Sequence, residues 1–196
     1  MLKLNSWRLG AGAALTLAAG VAQAHPGHGA SGFAEALAHP FLGLDHLLAM
    51  VAVGAWSVAA LPAHQRLAGP AVFLLMLLAG LLLAWSGVAL PGVEAGVALS
   101  VALFGAMLLA GRRLGAAPGL AIVALAALLH GSAHGSELTA GPAMLATVAG
   151  LVIASAALHG LGLAAGVRLQ SLGAKATQVA AMLLGGSGLL LLATRL

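Results

Sequence analysis

The sequence predicts an all-α integral membrane protein, a bundle of six transmembrane helices after a cleavable signal peptide. Three observations lead there. The chain is 62% hydrophobic and only 6% charged over 196 residues, where a soluble domain carries about a quarter charged residues. Its apolar runs are continuous and close to the roughly 20 residues a helix needs to cross a bilayer, which sets aside a β-barrel of short alternating strands. Gly, at 28 residues, and abundant Ala suit close helix–helix approach in lipid, and no G-x-y period points to collagen.

The N-terminus has the grammar of a secretory leader. Lys3 and Arg8 form a positive n-region, Leu9 to Val21 an apolar stretch, and Ala22-Gln23-Ala24 a small-x-small cleavage site. The chain therefore divides into a signal peptide at 1–24 and a transmembrane domain at 25–196. Cleavage after Ala24 exposes His25-Pro26-Gly27-His28, whose free amine and two imidazoles suit capture of a late transition metal.

Six apolar spans follow, near Pro40–Leu61, Pro70–Leu90, Val93–Ala110, Pro118–Gly135, Pro142–Val167 and Thr177–Ala193, with Pro and Gly at nearly every boundary. Threading them from an outside N-terminus puts Arg66, Arg112, Arg113, Arg168 and Lys175 in cytoplasmic loops. Five of the six basic residues after the leader are then inside, as the positive-inside rule asks. Glu35, Glu94, Glu137 and the tail residue Arg195 fall outside. The expected location is the bacterial inner membrane, multi-pass, with the mature N-terminus and the C-terminus periplasmic.

Composition excludes several functions. The pI near 11.3 comes from scattered basic residues with no basic, aromatic-laced patch, which argues against nucleic acid as a partner. Cys is absent, which removes thiolate metal sites, disulfides and thiol nucleophiles. The loops are short and no P-loop is present, so the chain has no means of hydrolysing ATP. Ser132 and Ser136 lie near His130 and His134 without an oxyanion arrangement, and an enzyme is not expected.

What remains is polar chemistry inside the bundle, where buried ionisable groups mark function by default. His39, Asp45 and His46 share the first span, and Asp45 is the chain's only Asp. On a continuous helix His39, Gly43 and His46 form one stripe, with Asp45 about 100° away from His46 and roughly 9 Å in from the outer end. Met50, one turn deeper than His46, reads as core more than as a thioether ligand. His130 and His134 are an i, i+4 pair at the outer end of the fourth span, with Glu137 three residues on, which is metal-ligand spacing on a helix. His159 lies in the fifth span toward its cytoplasmic side, either as a deeper station on an ion path or as a packing donor to a backbone carbonyl. His64 reads as a loop residue and Glu94 as a solvated cap charge. Gly150, Gly160, Gly162, Gly166, Gly185, Gly186 and Gly188 permit tight crossings. Imidazole with carboxylate suits Ni, Co, Zn, Fe or Mn without separating them. A facing His pair would also serve a bis-His haem, although haem ligation needs no carboxylate beside it.

His39-Pro40-Phe41-Leu42-Gly43-Leu44-Asp45-His46-Leu47-Leu48-Ala49-Met50 resembles the signature of the HupE/UreJ family. His130-Gly131-Ser132-Ala133-His134-Gly135-Ser136-Glu137 is similar to that family's second motif, and His159-Gly160 to its later His-Gly. The resemblance implies a secondary permease for nickel, in some members cobalt, that supplies hydrogenase or urease maturation, with the ion as transported substrate and no cofactor. It implies His39, Asp45, His46, His130, His134 and Glu137 as functional positions; with His159 these are the metal-site candidates. The rival readings are a membrane metal-binding or chaperone protein that does not transport, and a haem-binding electron-transfer subunit.

Overall fold

The computed structural model describes residues 32–138 and 140–196, and all of its regular structure is helical. The predicted leader and the His25/His28 tail lie outside the described residues. Among the described residues seven α-helices build the bundle: α1 (Phe33–Leu42), α2 (Leu44–Ala60), α3 (Ala68–Trp85), α4 (Val93–Ala110), α5 (Ala116–Glu137), α6 (Met144–Leu172) and α7 (Ala174–Ala193). Helices α3 to α7 are each long and apolar enough to cross a membrane, and α1 with α2, apolar enough together but bent by 82° at their break, count as a sixth when taken as one broken span. The predicted third span coincides with α4 at both ends, and the second to sixth predicted spans each correspond to one helix.

The first span departs from expectation. It begins seven residues earlier, at Phe33, and breaks at Gly43, so His39, Gly43 and His46 do not share a helical stripe. Gly43 is extended (φ −90°, ψ 112°) and its carbonyl accepts from Leu47 N–H, so it ends α1 and caps α2 in one residue. A Cβ there would lie 3.1 Å from both Asp45 Oδ1 and His46 Nδ1. The missing side chain gives the two functional groups room to fold back over the N-terminus of α2. Asp45 therefore sits in the first turn of a helix, where the backbone dipole favours a negative charge.

The helices alternate in direction through short connections. One end of the bundle gathers the short 3₁₀ turns Ala63–Gln65 and Gly111–Leu114, with Arg66, Arg112 and Arg113. The other end gathers the start of α2, the starts of α4 and α6, and the ends of α3, α5 and α7. The most extensive pairings are α3 with α5, α2 with α6, α4 with α7 and α1 with α6.

Small residues set these pairings. A methyl on Gly131 would run into the Leu77 carbonyl, and one on Gly80 into that of Leu128, so α3 and α5 meet backbone to backbone on both faces of the crossing. Gly54 and Gly162 do the same for α2 and α6. Of the seven glycines expected to permit tight crossings, Gly160 and Gly186 face open space. The core is filled by Trp56, Phe73, Phe104, Met50, Leu77 and Leu81, all buried. Leu75, Leu125, Leu145 and Leu190 point outward, as lipid-facing residues do.

Helix α6 runs five residues past the predicted Val167, through Arg168 and Gln170. Gln170 Nε2 donates to the Val58 carbonyl at 2.9 Å, which ties the polar extension to α2. The longer helix places His159 near its midpoint instead of toward one side.

Candidate metal site

The end of the bundle opposite the arginine turns holds a cluster of imidazoles drawn from three helices. His39 leaves the last turn of α1, His46 the first turn of α2, and His130 and His134 the last two turns of α5. The ring centroids of His46 lie 4.8 Å from His130 and 4.4 Å from His134. His39 is 5.0 Å from His134 and 6.5 Å from His46. The two segments singled out in the sequence thus meet, across 84 positions of chain between His46 and His130.

Exposure falls from the rim inward. The Glu137 side chain is 44% exposed and His39 24%, whereas His46, His130 and His134 are buried. At the rim His39 Nε2–H donates to Glu137 Oε2 at 2.6 Å. One ligand atom from each of His39, His134 and Glu137 lies within 4.8 Å of the others, a spacing that suits a shared cation. The Trp85 indole N–H donates to the Leu138 carbonyl at 2.7 Å, which fixes the end of α5, and with it Glu137, against α3.

Below the rim, each buried imidazole except His134 has one nitrogen committed. His46 Nδ1 donates to Asp45 Oδ1 at 2.8 Å, and the His46 backbone N–H donates to the same oxygen at 2.9 Å. Ser100 Oγ donates to the Val97 carbonyl at 2.7 Å, which uses its only proton, so His130 Nε2 must be the donor in its 2.9 Å bond to Ser100. These bonds fix tautomers. They leave His46 Nε2 and His130 Nδ1 as bare acceptors, and neither has a partner among the described residues. His134 is buried with neither ring nitrogen partnered.

Asp45 itself is fully engaged. Oδ1 holds His46, and Oδ2 accepts from the Arg195 guanidinium at 2.9 Å. Arg195 also ion-pairs with Glu94. A carboxylate that orients an imidazole through the nitrogen facing away from the metal is a recurring arrangement in metal proteins.

His159 stands apart. Its Nδ1–H donates to the Ser155 carbonyl in its own helix at 2.6 Å, while Nε2 is buried and unpartnered. The buried ring of Phe73 lies between it and the cluster, 4.8 Å from His159 and 5.4 Å from His130 by centroid.

Other sequence candidates resolve as follows. Met50 is in the core. His64 lies in the exposed Ala63–Gln65 turn beside Gln65 Nε2 at 3.2 Å. Ser132 and Ser136 donate to the backbone carbonyls of Gly80 and Ala133. Sequence reasoning missed Ser100, Phe73 and the reach of Arg195. Ser100 and Phe73 carry no sequence signal. Arg195 carried one: it is the single basic residue that the charge-derived topology left outside.

Comparison with known proteins agrees with the motifs. The family model described as HupE / UreJ protein matches residues 13–191. Protein HupE of Rhizobium leguminosarum bv. viciae is 38% identical over 167 residues, 85% of this chain and 85% of that protein. No solved structure matches. The match covers most of both chains, and the chain belongs to the HupE/UreJ family.

Proposed function

We propose that this protein imports Ni²⁺, with Co²⁺ as the second candidate, across the bacterial inner membrane, and that it supplies hydrogenase or urease maturation. The observation that carries the reading is the set of buried imidazole nitrogens without partners: His46 Nε2, His130 Nδ1, both nitrogens of His134 and, past Phe73, His159 Nε2. Leaving a buried polar group unsatisfied costs about 1–3 kcal/mol. A chain that leaves several in one place keeps them for something that arrives. Neutral imidazole lone pairs suit a borderline divalent ion and discriminate against Mg²⁺ and Ca²⁺, which prefer oxygen. Nickel in particular rests on the family resemblance, because the donor set alone also admits Co, Zn, Fe or Mn.

The path reads from the rim inward. Glu35, the His25–His28 tail and the rim carboxylate Glu137 concentrate the cation on the periplasmic side. His39, His134 and Glu137 exchange for its outer waters. The ion then shifts to His46, His130 and His134, with the charge of Asp45 offsetting part of the desolvation of a buried dication. His134 belongs to both sets, so the transfer breaks only some contacts at a time. Phe73 separates this station from His159, and a change in its ring position opens the next step. Shared, incompletely saturated ligation allows release, which a transport site requires and a storage site does not. The inside-negative potential favours a dication by roughly 4–5 kcal/mol per 100 mV, so uniport is energetically sufficient.

The test is a cellular uptake panel with Ni, Co, Zn and Cu for wild type, Asp45→Asn, His46→Ala and His134→Ala. Nickel or cobalt accumulation should collapse in all three variants at equal membrane abundance. Survival of transport in all three would remove these residues from the path.

A further inference from the structure

Arg195 holds a place that the transport reading leaves unused. It is the penultimate residue, two positions beyond α7. The turn that carries it is held: Thr194 Oγ1 donates to the Leu191 carbonyl at 2.7 Å, and the Arg195 N–H to the Leu192 carbonyl at 2.9 Å. Helix α7 lies against α4 through close backbone contacts, Gly188 on Ala102 and Gly185 on Gly105, which bring its end beside the start of α4. From there the guanidinium spans two carboxylates, Asp45 Oδ2 at 2.9 Å and Glu94.

Asp45 is buried and ionised groups at such positions require a counter-charge. Arg195 supplies it, at 2.9 Å from Asp45 Oδ2 beside the imidazole cluster. We infer that Arg195 is a tethered competitor of the transported ion: its guanidinium neutralises Asp45 in the empty site and is driven off toward Glu94 when a dication reaches His46. Glu94 is the more exposed of the two carboxylates, so it can receive the displaced arm at the water-facing rim. The fork of the guanidinium already contacts both acids through different nitrogens, and moving its weight from one to the other requires only side-chain rotation. The consequence is a site held deliberately weak. Ion binding works against a positive charge, and ion departure is assisted by the return of that charge.

This inference rests on the proposed metal transport, deepens it, and makes a prediction of unusual sign. Purified full-length protein in detergent is titrated with Ni²⁺ by calorimetry. Arg195→Gln should bind Ni²⁺ about tenfold or more tightly than wild type, because a like charge near the ion is gone. The same variant should melt at a lower temperature without metal and recover when Ni²⁺ is added. Glu94→Gln should bind several-fold more weakly, because the arm then has Asp45 as its sole acidic partner. Arg195→Lys, which keeps the charge, should stay close to wild type. Equal or weaker Ni²⁺ binding by folded Arg195→Gln overturns the inference and leaves the transport reading intact. Absence of Ni²⁺ binding in wild type and all variants removes the transport reading, and this inference with it.

Discussion

Replacing Asp45 by Asn keeps the size of the side chain and one acceptor oxygen but removes the charge. In the structure that carboxylate takes the His46 imidazole N–H, the His46 backbone N–H and the Arg195 guanidinium. Hydrogen bonds to charged groups contribute about 1.5–3 kcal/mol, and neutral ones about 1. The imidazole bond alone therefore weakens by about 0.5–2 kcal/mol, and Arg195 loses one of its two acids. Each 1.4 kcal/mol is a factor of ten in affinity, and loss of an orienting carboxylate behind a ligating His typically costs 10–100-fold in metal affinity or activity. Asp45→Asn should accordingly bind Ni²⁺ 10–100-fold more weakly and take it up correspondingly slower at subsaturating metal. The assay is Ni²⁺ titration of the purified protein beside initial rates of radiolabelled nickel uptake, with membrane abundance equalised. Affinity within twofold of wild type, in a variant that folds, would refute the claim that Asp45 orients His46 for an ion.

Other expectations follow from neighbouring contacts. Ser100→Ala removes the acceptor that fixes the His130 tautomer; a few-fold loss in Ni²⁺ affinity is expected, recovered by Ser100→Thr, and a loss that Thr does not recover would point to general disruption. Gly131→Val forces α3 and α5 apart at the Leu77 carbonyl; overpacking costs about 1–3 kcal/mol, so melting temperature and uptake should fall together, and a variant of unchanged stability would mean the crossing is looser than described.

The helices were legible because membrane spans are written in composition: α4 could be bounded from Pro91-Gly92 and Gly111 alone. The juxtaposition of Asp45 and His46 with His130 and His134 followed from charge counting, which put both segments at one membrane face. What stayed hidden depended on geometry that no local pattern carries. Helical periodicity was extended through Gly43, where the chain turns by 82°, so His39 reaches the cluster from a different helix instead of along a stripe. Ser100 and Phe73 are ordinary residues within apolar helices. Only the packing of α4 and α3 against their neighbours brings Ser100 to His130 Nε2 and sets the Phe73 ring beside both His130 and His159. Arg195 stood only as the tail residue on the outer side, because its partners, Asp45 and Glu94, lie 150 and 101 positions away.

Binding alone does not establish transport. The most direct measurement is Ni²⁺ appearance inside proteoliposomes holding the purified protein under an inside-negative potential, read by a trapped metal-sensitive dye. Accumulation should rise with the potential and be lost in His46→Ala and His134→Ala. Ni²⁺ that binds the protein while the lumenal signal stays at the level of protein-free vesicles would contradict it.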